Sequence, residues 1–183
     1  MFLKDMTWDI HVRLEKRLAV KDRFSDIDHY RNHLGRLWAF QAAAEENWAG
    51  RLQEALADFP IRRKAHLLAQ DVAALGGVLP HLAEVPAAND APAALGGFYV
   101  LEGATLGGQF LLPIVERKLG LSARHGASYL ASYGTEVQPM WRQFVATVEA
   151  CCANPQSRER AGAAARETFL ALENWLCRDP ENQ

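Results

Sequence analysis

Apolar positions recur at helical spacing along most of the chain, and the residues between them carry start and stop signals. Thr7, His11, Leu14 and Leu18 fall on one stripe with Ile10 at its edge, which predicts an amphipathic helix from about Lys4 to Ala19. The stretch 25-SDID-28 resembles a capping box, so a second helix opens there and turns Tyr30, Leu34, Leu37, Trp38 and later Trp48 inward. Ile61, Leu67, Leu68, Val72 and Leu75 predict a third helix, with Pro60 near its start and Gly76-Gly77 at its end. Residues 78–91, with Pro80, Pro86, Asn89 and Asp90, read as a loop before Pro92 restarts a helix. A shorter helical piece holds Tyr129 and Tyr133, breaks near Gly134, and gives way to a helix from Thr135 to about Cys152. Asn154-Pro155 then supplies a cap and first position for a last helix carrying Phe169, Leu172, Trp175 and Leu176. No strand alternation, repeat or heptad is sustained, so the expected fold is all-α, one domain over residues 1–183.

The fourth helix contains 98-FYVLEGATLGGQFLLP-113, where Gly103, Gly107 and Gly108 interrupt an apolar run. Glycine inside a helix costs about 0.5–1 kcal/mol relative to alanine, so these positions need a reason. Its place between helical segments favours a broken helix over a strand. Two explanations stand open: helix packing with a kink, or close approach of the backbone to a ligand. The segment 103-GATLGG-108 lacks the spacing and strand-turn-helix setting of a phosphate-binding loop.

Composition narrows the chemistry. With 183 residues and 49% hydrophobic content the chain can bury one sizeable core. A formal net charge of -2 gives no electrostatic ground for a nucleic-acid or anionic-membrane partner. Glu102 and Glu116 keep any apolar run short of the roughly 20 residues that span a bilayer, and no secretory signal opens the chain, so a cytoplasmic location is expected. Cys151, Cys152 and Cys177 lack the spacing of a zinc or dithiol site and read as reduced structural thiols. His29 and His33 share a helical face without an accompanying carboxylate pattern, and His66, His81 and His125 stand in no motif. His11, at the polar edge of an apolar face, is either packed in place or a ligand for haem iron.

Two segments taken together sharpen this. The pattern 7-TWDIHVRLE-15 resembles the proximal-helix motif of the haem oxygenases, in which a threonine stands four residues before the ligating histidine and Leu-Glu follows. The pattern 99-YVLEGATLGGQ-109 resembles the distal-helix motif of the bacterial, biliverdin-producing members, and the order and separation of the two segments match that family. The resemblance implies a haem oxygenase-like fold, with haem between the proximal helix and a kinked distal helix and His11 as proximal iron ligand. Haem would then be both prosthetic group and substrate. Molecular oxygen and electrons from an external reductase or ferredoxin would open the ring at a meso carbon, giving biliverdin, carbon monoxide and ferrous iron.

The same resemblance assigns expectations to further residues. Gly103 and Gly107 would let the distal helix lie low over the ring and direct oxidation to a meso carbon, with Gly108 aiding the bend. Glu15 either tunes His11 through its second nitrogen or forms a solvated salt bridge. Lys4 matches a position that pairs with a haem propionate; the alternative is an ordinary exposed lysine. Arg142, and less clearly Arg166, are further propionate candidates. Tyr99 and Phe169 match residues that line the haem pocket, with core packing equally open. Ala104 departs from the pattern, standing where animal relatives resemble one another in an aspartate and bacterial ones commonly have serine. Alanine orders no water, so proton delivery would fall to backbone groups and ordered water, Thr105 lying about 100° further round the helix. That departure motivates the alternative of a catalytically weak haem transfer or storage protein, ahead of a purely structural helical domain. Implied partners are the electron donor and a biliverdin-accepting photoreceptor, with no nucleic acid or membrane and a monomer or weak homodimer.

Overall fold

Helix α1 (Phe2–Leu18) buries Leu3, Thr7, Ile10 and Leu14. Ile10 therefore belongs to the buried stripe and not to its edge, while His11 lies at the polar edge as expected. The computed structural model describes residues 1–18 and 24–177, so the predicted helix end at Ala19 lies outside it. Helix α2 (Ile27–Asn47) is capped by Asp26 and not by Ser25: the Asp26 carboxylate accepts from the His29 amide at 2.9 Å, while the Ser25 hydroxyl donates to that carboxylate. Helix α3 (Ala49–Ala55) follows directly, with Trp48 buried at the junction and its indole N–H donating to the Pro86 carbonyl.

The predicted third helix is two pieces, α4 (Phe59–Arg62) and α5 (Ala65–Ala74), and Ile61 is exposed instead of inward. The division has a clear cause. Buried Glu45 on α2 accepts from the amides of Lys64 and Ala65, capping α5 from outside and ending α4 two residues earlier. Asp71 on α5 does the same for α7 (Ser128–Ala131), accepting from the Ser128 and Tyr129 amides.

Between them runs α6 (Ala91–Leu119), capped by Asp90 and ended by Gly120 at φ +67°. It passes unbroken through all three motif glycines, where a break was expected. Pro113 is accommodated inside the helix, although it offers no N–H to the Gln109 carbonyl. A 3-10 turn (Gly134–Glu136) leads into α8 (Val137–Cys151), and α9 (Pro155–Cys177) starts on the Asn154 cap that the sequence suggested. Among the described residues there is no β-strand.

Helix α6 is the centre of the packing, lying chiefly on α9 and flanked by α3, α7 and α8. Where α6 and α9 cross, a methyl group on Gly96 would collide with the Ala161 carbonyl, so the two backbones touch. The core is aromatic here, with Phe98 meeting Phe59 and Phe144 edge-on at 5.6 and 5.9 Å. The most apolar 18 residues of α6 have mean hydropathy 1.3, so length and composition alone would let it cross a membrane, contrary to the expectation drawn from Glu102 and Glu116. Glu102, however, is fully buried inside the protein against Arg62 and Lys64.

Helix α1 is held to α9 by charge. Arg166 grips Asp9 with both terminal nitrogens at 2.7 and 3.0 Å and donates to the Met6 carbonyl. Arg13 and Arg17 close on buried Glu173 at 2.6 and 3.2 Å.

Candidate functional site

Because helical neighbours recur every three to four residues, Lys4, Trp8, His11 and Glu15 form a row along the open side of α1. The Lys4 ammonium lies 5.5 Å from the Trp8 ring centroid. Trp8 stacks on His11 at 6.1 Å and 22°, and Phe169 of α9 meets the imidazole edge-on at 5.7 Å and 82°. The His11 side chain remains 43% exposed, held by its ring faces with its nitrogens accessible. Its Nε2 stands 3.6 Å from the Glu15 carboxylate, beyond hydrogen-bond length, and Glu15 itself is largely exposed. In this setting the two form a loose surface pair, the second of the two roles considered for Glu15.

On α6, Tyr99, Gly103 and Gly107 share one face. An added Cβ at Gly107 would meet nothing within 4 Å, and one at Gly103 would touch only the Trp141 ring at 3.8 Å. Tyr99 packs against Trp141 with centroids 5.6 Å apart, and its hydroxyl lies near the Thr7 side chain. Burial raises the Tyr99 pKa, and the neighbouring Thr7 hydroxyl opposes part of that rise. Thr7 is itself buried, its hydroxyl donating to the Leu3 carbonyl at 2.7 Å. The two motifs, some ninety residues apart, thus meet at Thr7 and Tyr99. One turn beyond that contact stand His11 on α1 and Gly103 on α6, while both helices pack along α9 and not along each other.

This arrangement fits a flat apolar guest. A half-exposed imidazole offers a metal-binding nitrogen, a side-chain-free strip of helix leaves room that a Cβ would fill, and Trp8, Tyr99, Trp141 and Phe169 supply flat apolar surface. Among the described residues no group of three or more His, Cys, Asp or Glu side chains is placed to hold a bare metal ion, and a haem iron needs only one protein ligand here. Cys151, Cys152 and Cys177 form no disulfide among the described residues, and burial pushes the Cys152 thiol up to about 11, consistent with structural thiols.

Not every expected residue belongs to this arrangement. Gly108 is packed on the Leu130 carbonyl, 2.7 Å from where its Cβ would be, so contact with α7 accounts for that glycine. Arg166 is committed to Asp9 and Met6 and is not a free cation for a propionate. Lys4 and Arg142 are exposed, and Arg142 makes no ion pair among the described residues. Ala104 is exposed beside the glycine face, and Thr105 turns inward to bond the Glu102 carbonyl. Sequence reasoning passed over Trp8, Trp141 and Phe110. Trp8 was inside the motif, four residues after Lys4 and three before His11, and its 56% exposure separates it from a core tryptophan. Phe110 lies on the same α6 face as Gly103 and Gly107 and is 77% exposed.

Comparison with known proteins identifies the pattern. The family model described as Heme oxygenase matches residues 1–178. A search of curated protein sequences gives no significant match. Among solved structures, a heme oxygenase from Neisseria meningitidis, described in NO- and CO-bound forms, superposes with a TM-score of 0.81 at 24% identity, covering 98% of this chain and 92% of that one. The heme oxygenase of Leptospira interrogans gives 0.77 at 16% identity, with 96% of each chain covered. At these identities the solved structures show a shared all-helical fold. With the family model spanning nearly the whole chain and the helices arranged on the same plan, this protein belongs to the haem oxygenase family.

Proposed function

We propose that the protein is a haem-degrading monooxygenase that binds haem between α1 and α6 and converts it to biliverdin, carbon monoxide and ferrous iron. The observation that carries this reading is the approach of Tyr99 to Thr7, one helical turn before Gly103 on α6 and His11 on α1. Haem, when bound, supplies the iron at which molecular oxygen is activated by electrons from an external reductase or ferredoxin.

The chain's own residues do the rest. His11 offers a neutral imidazole nitrogen to the iron, with the ring plane set by Trp8 and Phe169. With its Nε2 beside Glu15, the imidazole would be oriented or tuned by that carboxylate through a ring nitrogen, directly or through water. Gly103 and Gly107 would present backbone alone to the ring, so that no side chain holds it off the helix and oxidation would be steered to a meso carbon. Tyr99 and Trp141 keep water from one side of the cleft. Lys4 and Arg142 are exposed cations suited to the propionates, fixing rotation of the ring and with it the carbon attacked. Ala104 holds no proton donor, so proton delivery would rest on ordered water. A cytoplasmic enzyme of this kind supplies biliverdin to a photoreceptor or releases iron.

Ala104 also favours a second reading, a haem transfer or storage protein with slow turnover. Anaerobic loading with haem, followed by oxygen and a reductant, separates the two. A biliverdin spectrum with free iron supports the enzyme, and a persistent oxygenated haem band supports the carrier. His11→Ala is expected to keep its helical circular dichroism and lose the absorption bands of histidine-ligated haem. Retention of those bands would remove His11 from the proposal.

A further inference from the structure

Glu102 is one residue from Gly103 and points away from the cleft into a cluster the proposed reaction does not use. Its carboxylate accepts from Arg62, from Lys64 at 2.7 Å and from the Tyr133 hydroxyl at 3.0 Å. Lys64 also donates to Tyr133 at 2.7 Å and to the Arg62 carbonyl at 2.8 Å, and Arg62 reaches the Met140 carbonyl and pairs with Asp58 at 2.7 Å. Arg62, Lys64 and Glu102 have side-chain exposures of 0%, 2% and 0%. One side chain of α6 is thereby tied to the α4–α5 junction, to Tyr133 before the 3-10 turn and to the first turns of α8.

Stability alone does not account for such a cluster. Removing charges from water is costly, and apolar side chains of similar volume commonly serve a core as well or better. What the cluster adds is direction: although Arg62 Nε has no hydrogen-bond partner, the bonds to the Glu102 carboxylate fix the angle at which it leaves the helix, whereas apolar packing tolerates rotation and sliding. A residue one position on lies about 100° round the helix, so the azimuth of Glu102 sets that of Gly103. The same turn is held a second time by the Thr105 hydroxyl, which donates to the Glu102 carbonyl at 2.7 Å. With glycines at 103, 107 and 108, this is the part of α6 with least side chain to hold it in place.

We propose that Glu102 is a positioning residue whose buried cluster with Arg62, Lys64 and Tyr133 sets the rotation and height of the glycine turn over His11. The consequence for ring cleavage rests on the function proposed above, whereas the consequence for the helix does not. The test replaces the cluster by apolar residues of similar volume, Arg62→Met, Lys64→Met and Glu102→Leu in one chain. Two quantities are then read: amide hydrogen exchange in the haem-free protein, and the distribution of meso isomers in the product. Exchange is expected to rise about tenfold across residues 103–108 while α9 keeps its protection, and the product is expected to divide among more isomers than the parent gives. Unchanged exchange at 103–108 with an unchanged isomer pattern overturns the proposal, as does a uniform rise over all helices, which marks a merely structural cluster. Should the triple variant not fold, Tyr133→Phe removes one donor to Glu102 and is expected to raise exchange about threefold in the same segment; no local change there refutes the idea. If the parent binds no haem, the proposed function fails, and the exchange comparison still decides the role of Glu102.

Discussion

Gly107→Ala separates what a glycine does for the helix from what it does for a guest. The residue sits inside α6 with open space around the position of its missing Cβ. Alanine there relieves a backbone-entropy penalty of about 0.5–1 kcal/mol, and no neighbour resists the new methyl. For a chain of this size that corresponds to a rise in melting temperature of about 1–4 °C in the haem-free protein. Haem binding should respond in the opposite direction. If the backbone of this turn rests on the ring, the methyl enters a filled space, and overpacking of about 1–3 kcal/mol weakens binding about five- to 150-fold. Calorimetric melts without haem and a fluorescence titration with haem measure both on one variant. A more stable protein with undiminished affinity would show that Gly107 faces solvent and not the ligand. A less stable one would show that the space beside it is already occupied.

Other positions test the frame. Gly96→Ala should cost about 3 kcal/mol or more, because the methyl meets the Ala161 backbone, which has no rotamer to move; urea unfolding checks this, and a neutral result would mean that α6 and α9 are further apart. Glu173 is held below the usual carboxylate range, first by its hydrogen bond from Arg13 and then by Arg17, against the opposing effect of burial. Its folded pKa is depressed, so the pair stabilises the protein above the unfolded value and that contribution fades as pH falls through the folded one. Glu173→Gln should therefore cost about 1–2 kcal/mol at neutral pH, with the gap to the parent closing below about pH 4; a gap independent of pH in paired melts would contradict this.

The helices and most of their caps were legible because capping and periodicity are local. Asn154 caps α9 where local rules put it, and α6 restarts beside Pro92. Failures came where a distant residue decided. The α4–α5 break is made by Glu45, nineteen positions before Lys64, and nothing in residues 59–75 announces it. The glycines showed the same limit. Sequence marks them as unusual without saying what stands opposite, so Gly108 was assigned to a bend when Leu130 explains it, and Gly96 went unremarked. At the candidate site the motifs singled out His11, Tyr99 and the glycine pair, whereas Trp8 and Trp141 look like core tryptophans until their surroundings are known. Glu102 gave a signal that was read only as an interruption. A carboxylate in an apolar run needs buried partners, and Arg62 and Lys64 were available one helix earlier.

The meeting of Gly96 with Ala161 has a mechanical consequence. Peptide groups pressed together with no side chain between them form a joint that neither compresses nor slides easily, so the two longest helices act as one stiff beam. Helix α1 meets that beam through buried Leu3, Ile10 and Leu14 as well as through half-hydrated arginines. A guest lodged against the glycine-bearing helix would therefore meet a wall that yields little.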